Sequence, residues 1–541
     1  MNYKKTVKKF LAAGLIMSML LTGCGAGENK GASSASEGQK TQSTSKESTK
    51  EDTITVLTAS NIDPEIADTI DTSTNAFQLY EMVYDPLVRY GENGEIEPAL
   101  AESYDVSEDG KVYTFHLRKD VQFSDGTNFN ADSVIYNTNR WDDKVKGNFS
   151  AKLEKVEKVD DYTVSFTFDH AAYPIIIEFT YPRPFRMCAP SSLDKDGKFV
   201  LGVGTGQWKI ESYEEGQEAV LVKNEYYYGK QPSYEKVVLK FVDDGQSRVM
   251  ALQSGDADIC LADVPVESAG VLEDDTDVSS VKDVSTLSFF FGLNYDNKIF
   301  SDIKVRQALN YATNKKSMVE DIMNNDATAA TGIFSSSVPF VTKENSKGYD
   351  YNLEKAKELL KEAGYEDTNG DGIVEKDGKD LTLNLVFQTE EYSNWKTICE
   401  FIQSEYLKIG VNIELKEMET AAYYDAIWTT RDYDIIIYRS YEDSWNPHGF
   451  LSSVFYQSKD QPSVFWYDEK LNTMIGDVIA QPDITNVQEK YDEIFKYMDE
   501  NAFTIPLYYP NQTYYYNARL SGVDKAATSY QGIVWEDISI N

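Results

Sequence analysis

Pro182-Arg183-Pro184-Phe185-Arg186 sets a guanidinium between two prolines, after the apolar run 175–179 and before Cys188. Proline fixes the backbone on both sides. Arg183 would therefore lose little entropy in gripping a carboxylate through two parallel N–H bonds. Pairing with one of the chain's many acids is its alternative use. A second constellation is Glu442-Asp443-Ser444-Trp445-Asn446-Pro447-His448-Gly449-Phe450. It offers a carboxylate, an indole and an imidazole together, a wall for a small molecule. The same stretch reads as a Pro-containing turn whose Asn446 and His448 bond their own backbone. The two readings are compatible.

Two further motifs point away from chemistry. Asp367-Thr368-Asn369-Gly370-Asp371-Gly372 opens like a calcium loop, with side-chain oxygens at alternate positions and glycine at the sixth. The closing bidentate Glu is replaced by Gly378, which favours an Asp/Asn/Gly turn. Gly202-Val203-Gly204-Thr205-Gly206 has the glycines of a phosphate loop, but Trp208-Lys209-Ile210 continues as a strand where a helix is required. No Gly-x-Ser-x-Gly elbow, His-Glu-x-x-His or Cys-x-x-Cys pair occurs. Only His116, His170 and His448 are present, too few for a His-rich metal cage. Binding, not catalysis, is expected, and a surface hydrolase would have to do without a nucleophile and base motif.

The elements that must position these residues mix both periods. Residues 113–117, 164–168 and 381–387 alternate as half-buried strands. Asp434-Ile435-Ile436-Ile437-Tyr438 is continuously apolar, as in a strand covered on both faces. The 442–450 segment follows it, and loops leaving central strands are where open α/β sheets place ligands. Asn352 caps a helix expected over 353–363, with Leu353, Ala356, Leu360 and Ala363 on one face and Gly364 as its stop. Helices are also expected over 305–311 and 486–498, and strands over 288–293 and 502–509. No internal repeat is evident. The class is mixed α and β.

The chain has 541 residues, and the roughly 490 from Thr53 onward exceed one ordinary core, so at least two lobes are expected. Net charge is −37, which excludes a nucleic-acid partner because phosphate binding needs a basic footprint. Many of the 37 tyrosines cluster, as in Tyr226-Tyr227-Tyr228. Most fill strand positions, and the others suit a ligand-contacting surface. Cys188, Cys260 and Cys399 are too few and too widely spaced for a disulfide framework and are read as free, mostly buried thiols.

The N-terminus addresses the protein outside the cytoplasm. Lys4, Lys5, Lys8 and Lys9 precede an apolar run over 10–21, the layout of a secretory signal peptide over 1–23. Leu21-Thr22-Gly23-Cys24 resembles the bacterial lipobox, which implies a diacylglyceryl group on Cys24 and a lipid-anchored mature protein on the extracytoplasmic face of the cell membrane. Residues 25–52 lack aromatics and any aliphatic larger than Ala, so with Cys24 they make a flexible linker over 24–52.

A series of motifs in order completes the reading. Tyr84-Asp85-Pro86-Leu87-Val88, Pro98-Ala99-Leu100-Ala101-Glu102-Ser103 and Ser107-Glu108-Asp109-Gly110-Lys111-Val112-Tyr113-Thr114-Phe115 come first. Phe123-Ser124-Asp125-Gly126, Gly204-Thr205-Gly206, Ala251-Leu252-Gln253-Ser254-Gly255 and Val305-Arg306-Gln307-Ala308-Leu309-Asn310-Tyr311-Ala312 follow. From Thr53 to its end the chain resembles the peptide/nickel class (family 5) of extracytoplasmic solute-binding proteins that feed ABC importers. One departure is Gln207, where that family usually has Pro.

The resemblance implies a two-lobed, hinged α/β fold of the type II periplasmic-binding kind, in its large cluster with an extra subdomain in lobe I. Lobe I with its subdomain is expected over 53–292, lobe II over 293–510, and a C-terminal return to lobe I over 511–541. The nickel-binding branch is the nearest in motif, through 182–186, Ser337-Val338-Pro339 and 446–453. There Arg183 maps onto an Arg that salt-bridges a chelate's carboxylate, and Tyr441 and Trp445 onto an aromatic pair lining the pocket. The branch's metal-contacting His is replaced by Lys459, with no His downstream, so no protein metal ligand and no cofactor is assigned. Asp443 aligns instead with the Asp by which dipeptide binders hold an α-ammonium group. Implied partners are a small ligand, a metal chelate ranked above a short peptide, and an ABC permease with its ATPase. A peptide sensor of the same fold stays open beside the transporter.

Overall fold

Alternation builds the first sheet. Val112–Leu117 and Thr163–Phe168 each bury every second residue, as their apolar period requires. They pair antiparallel inside a four-stranded sheet completed by Ala101–Val106 and Leu153–Asp160. Rings from its inner face meet Trp141, Phe149, Phe179 and Phe185, with Phe115 and Phe179 edge-to-face at 4.9 Å and Phe149 and Phe185 at 4.6 Å. Such ring pairs add about 0.5–1.5 kcal/mol each beyond burial. The computed structural model describes residues 52–59, 61–65, 77–91, 94–182, 185–262, 264–441, 446–458, 462–528 and 531–541. The signal peptide, Cys24 and the linker up to residue 51 lie outside these residues, as do Arg183, Asp443, Trp445 and Lys459.

A 12-stranded sheet carries most of the remaining fold. Ile435–Arg439 lies between the parallel strand Thr382–Phe387 and the antiparallel strand Phe289–Leu293, and its first four residues are buried, as expected for a strand covered on both faces. The strand expected over 502–509 is longer, running Thr504–Asn517. Its start pairs with Phe289–Leu293, its middle with Ala327–Ala329, and its end with Val278–Val284 and Ile259–Cys260. Ile505 and Leu507 sit in one hydrophobic core with Ile435–Tyr438, whereas Tyr514 sits in another with Ile54, Val56 and Trp208. Leu520, Val523, Ile533, Trp535 and Ile538 join that second core.

Helices form where the sequence places them. Leu353–Glu362 is capped by Asn352, which accepts from the Lys355 N–H at 3.0 Å, and Gly364 follows with φ +87°. Ile303–Ala312 and Val487–Glu500 cover the expected 305–311 and 486–498. Cys188, Cys260 and Cys399 are buried thiols outside any disulfide. Among the described residues no helix is long and apolar enough to cross a membrane.

The two glycine motifs are structural. Gly206 donates to the Val83 carbonyl at 2.9 Å, and a Cβ at Gly204 would overlap that same oxygen. These glycines let the loop approach the end of helix Phe77–Val83, with Thr205 Oγ1 on Asp85 at 3.2 Å. Strand Trp208–Glu214 then follows. In the second motif, Asp367 accepts from Gly370 and Gly372 N–H at 2.7 and 3.0 Å, and Asn369 and Asp371 each accept from the second residue on at 2.8 Å. It is the Asp/Asn/Gly turn that was expected, between helix Leu353–Glu362 and strand Thr382–Phe387.

Candidate ligand-binding site

The buried strand Ile435–Arg439 delivers the chain to Ser440, which is locked to Ser288 by two bonds of 2.8 and 2.9 Å. Tyr441 follows, its hydroxyl 2.8 Å from Ser453 Oγ and its ring edge-on to Phe450 at 5.1 Å. After four residues outside the described set, Asn446 precedes the helix Pro447–Val454. Proline at the first helical position needs no N–H partner, and its fixed φ suits the helix. Phe450, Leu451 and Val454 anchor this helix in the core around Ile435–Tyr438. The segment read as a Pro-containing turn is therefore a helix start.

His448 is only 3 % exposed. Its Nε2 stands 3.4 Å from Glu178 Oε1 and 3.3 Å from Tyr181 Oη, and its ring meets Tyr173 edge-on at 5.9 Å. Glu178, 2 % exposed, takes both Ser150 N–H contacts at 3.1 and 3.0 Å and the Ser150 hydroxyl at 2.6 Å. The Ser150 N–H, shared between the two carboxylate oxygens, and the Ser150 hydroxyl both donate to Glu178, and an acceptor there favours the His448 tautomer with its proton on the facing Nε2. Tyr173 adds a 2.7 Å hydroxyl contact to Tyr491 and a backbone bond to the Ile479 carbonyl at 3.2 Å. Burial pushes both tyrosine hydroxyls well above their ordinary titration range. A buried polar seam thus joins the 173–181 segment to the 446–454 helix.

The expectation that Asn446 and His448 bond their own backbone is overturned. Asn446 is 1 % exposed, makes no cap bond, and both its Oδ1 and Nδ2 are buried without a partner. His448 Nδ1 is in the same state, because its other nitrogen is turned to Glu178 from a distant part of the chain. Arg186 is spent on structure: it pairs with Glu81 and donates to the carbonyls of Thr180 and Tyr181 at 3.1 and 3.3 Å.

Tyr441 packs on the Pro447–Val454 helix through Phe450 and Ser453, and His448 lies within that helix. Arg183, Asp443 and Trp445 lie outside the described residues. Sequence reasoning missed Glu178, Ser150 and Tyr173. Glu178 did carry a signal, since a lone carboxylate within the apolar run 175–179 demands a buried partner. Among the described residues no group of three His, Cys, Asp or Glu side chains is arranged to hold a metal.

The family model described as bacterial extracellular solute-binding proteins, family 5 (middle) matches residues 95–462. The nickel-binding periplasmic protein of Escherichia coli (strain K12) is 31 % identical over 450 residues, covering 80 % of this chain and 85 % of that protein. The oligopeptide-binding protein AppA of Bacillus subtilis (strain 168) is 25 % identical over 534 residues, with 94 % of each chain covered. Among solved structures, NikA from Brucella suis in complex with Fe(III)-EDTA superposes with a TM-score of 0.80 at 27 % identity, covering 90 % of this chain and all of the other.

Proposed function

Because this chain belongs to the family 5 bacterial extracellular solute-binding proteins, we propose that it captures nickel or a similar metal chelate and delivers it to an ABC permease. The coarser statement stands on the family itself: the protein is the solute-binding component of an ABC importer, extracytoplasmic, with a two-lobed type II fold. The choice of a nickel chelate rests on one observation, the 31 % identity to a nickel-binding protein over most of both chains. In this reading Arg183 holds a chelator carboxylate, Tyr441 and Trp445 cover its apolar faces, and His448 and Asp443 face its polar groups. A short peptide is the second reading, favoured by Asp443 and by the full-length similarity to an oligopeptide-binding protein.

The lobes are proposed to divide as lobe I over 53–292, lobe II over 293–510 and a return over 511–541. The two cores joined by strand Thr504–Asn517 support that division. Cys24 is proposed as a lipidated N-terminus, supported by the Leu-Thr-Gly-Cys sequence. The protein is proposed to have no catalytic role, in keeping with relatives that bind their substrates.

Protein purified from its host and analysed by mass spectrometry and for metal should carry nickel with a small carboxylate chelator. Calorimetry should then give heat with nickel plus L-histidine and none with either alone. Binding of dipeptides without metal would replace the chelate reading by the peptide reading. Conversion of Cys24→Ala should abolish the diacylglyceryl mass and release the protein; normal membrane partitioning of that variant would rule the anchor out.

A further inference from the structure

Among the described side-chain amides, Asn446 is the one whose oxygen and nitrogen are both buried and unpartnered. An asparagine before a helix ordinarily turns its oxygen onto the first N–H groups, as Asn130, Asn314 and Asn352 do here. Asn486 does not cap its helix either, but it is exposed, where water meets its amide. Asn446 has neither recourse. A buried amide with no partner carries a desolvation cost that folding does not recover. Two residues on, His448 Nδ1 carries the same deficit. In the neutral tautomer with its proton on Nε2, toward the Glu178 carboxylate, Nδ1 is an acceptor.

Three atoms on one helix start thus present two acceptors, Asn446 Oδ1 and His448 Nδ1, and one donor, Asn446 Nδ2. Their complement is an N–H-bearing nitrogen close to a carbonyl or carboxylate oxygen. We infer that residues 446–448 form a subsite for the α-amino-acyl group of the ligand, with Asn446 as its reading residue. This deepens the proposed function and rests on it, since an amino-acid chelator of a metal and a peptide both contain that group. A structural role predicts the reverse economy, in which Asn446 would be bonded within the protein.

The test uses the mature protein with Asn446→Leu and the near-isosteric Asn446→Asp, titrated with nickel plus L-histidine and with alanyl-phenylalanine. Whichever probe the wild type binds identifies the source of the amino-acyl group. Asn446→Leu should weaken that binding at least tenfold while raising the melting temperature of the ligand-free protein, because the unpaired amide is gone. Asn446→Asp, which keeps the shape but replaces the donor by a second acceptor, should also lose affinity. Affinity unchanged in both variants overturns the subsite and leaves the transport reading intact. A lower melting temperature in Asn446→Leu with unchanged affinity shows a structural amide and likewise overturns it. A wild type that binds neither probe removes the ligand reading and this inference together.

Discussion

Glu178 shows how one residue type in the wrong-looking place becomes the centre of a seam. Its carboxylate is buried, and its charge is tolerated because Ser150 and His448 surround it. Glu178→Ala would strand the Ser150 N–H and hydroxyl and remove the charge that faces His448. The expected cost is about 3–5 kcal/mol in urea unfolding; a loss below about 1 kcal/mol would show that the seam does not depend on the carboxylate. Asp499 offers a test of sign. It is half-buried beside the Gly348 N–H at 3.2 Å, and burial pushes its carboxyl up to about 6 from an ordinary 3.8. Between these values the folded chain holds a proton that the unfolded chain has released. The stability from Asp499 is therefore present at low pH and lost as pH rises through 6. Asp499→Asn removes this dependence, so the variant should gain about 1–3 kcal/mol on the wild type between pH 4 and pH 7. A difference that stays flat over that range, measured by thermal unfolding, would contradict it.

Elements were legible wherever a period ran undisturbed. The alternation at 113–117 and the helical face of 353–363 became Val112–Leu117 and Leu353–Glu362 because local preference and tertiary burial agree there. The 447–454 helix was not legible, since Pro447 and Gly449 both read as turn residues. Burial of Phe450, Leu451 and Val454 outweighs the glycine's cost of about 1 kcal/mol. Strand Thr504–Asn517 outran its expected end because Pro510 looks like a breaker; the register shift opposite Phe289 and Phe290 accompanies Pro506. Of the site, Tyr441 and His448 were found by type and spacing, but the pairing of His448 with Glu178 joins distant segments and no local pattern encodes it. At the level of the loop, Gly204 carries a firm expectation. Its missing Cβ makes room for the Val83 carbonyl, a backbone atom that cannot swing aside. Gly204→Ala should cost about 1–3 kcal/mol or more, and a variant as stable as the wild type would mean that the loop re-seats freely.

At the scale of the whole molecule, strand Thr53–Thr58 and the segment from Arg519 onward are tied to each other. Asp258 accepts from the Thr55 N–H at 2.8 Å and from Arg519 Nε at 2.6 Å, while Arg519 also donates to the Thr53 carbonyl at 2.7 Å. Beyond Arg519, the apolar side chains from Leu520 to Ile538 complete the core that holds Ile54 and Val56. Each large apolar side chain there contributes roughly 1.5–3 kcal/mol by burial. Losing five of them with the Arg519 pair approaches the whole of an ordinary domain's stability, about 5–15 kcal/mol. Deletion of residues 519–541 should therefore melt the core around Ile54 and Val56 and spare the core around Ile435–Tyr438, whose strands Thr382–Phe387 and Ile435–Arg439 touch none of the deleted residues in the sheet. Hydrogen exchange reads this directly: amides of Thr53–Thr58 and Lys236–Phe241 should lose protection while those of Thr382–Phe387 keep theirs. Protection lost evenly across both cores would mean that strand Thr504–Asn517 couples them into one cooperative body. Full protection at Thr53–Thr58 would mean that residues 519–541 do not hold the core around Ile54 and Val56 together.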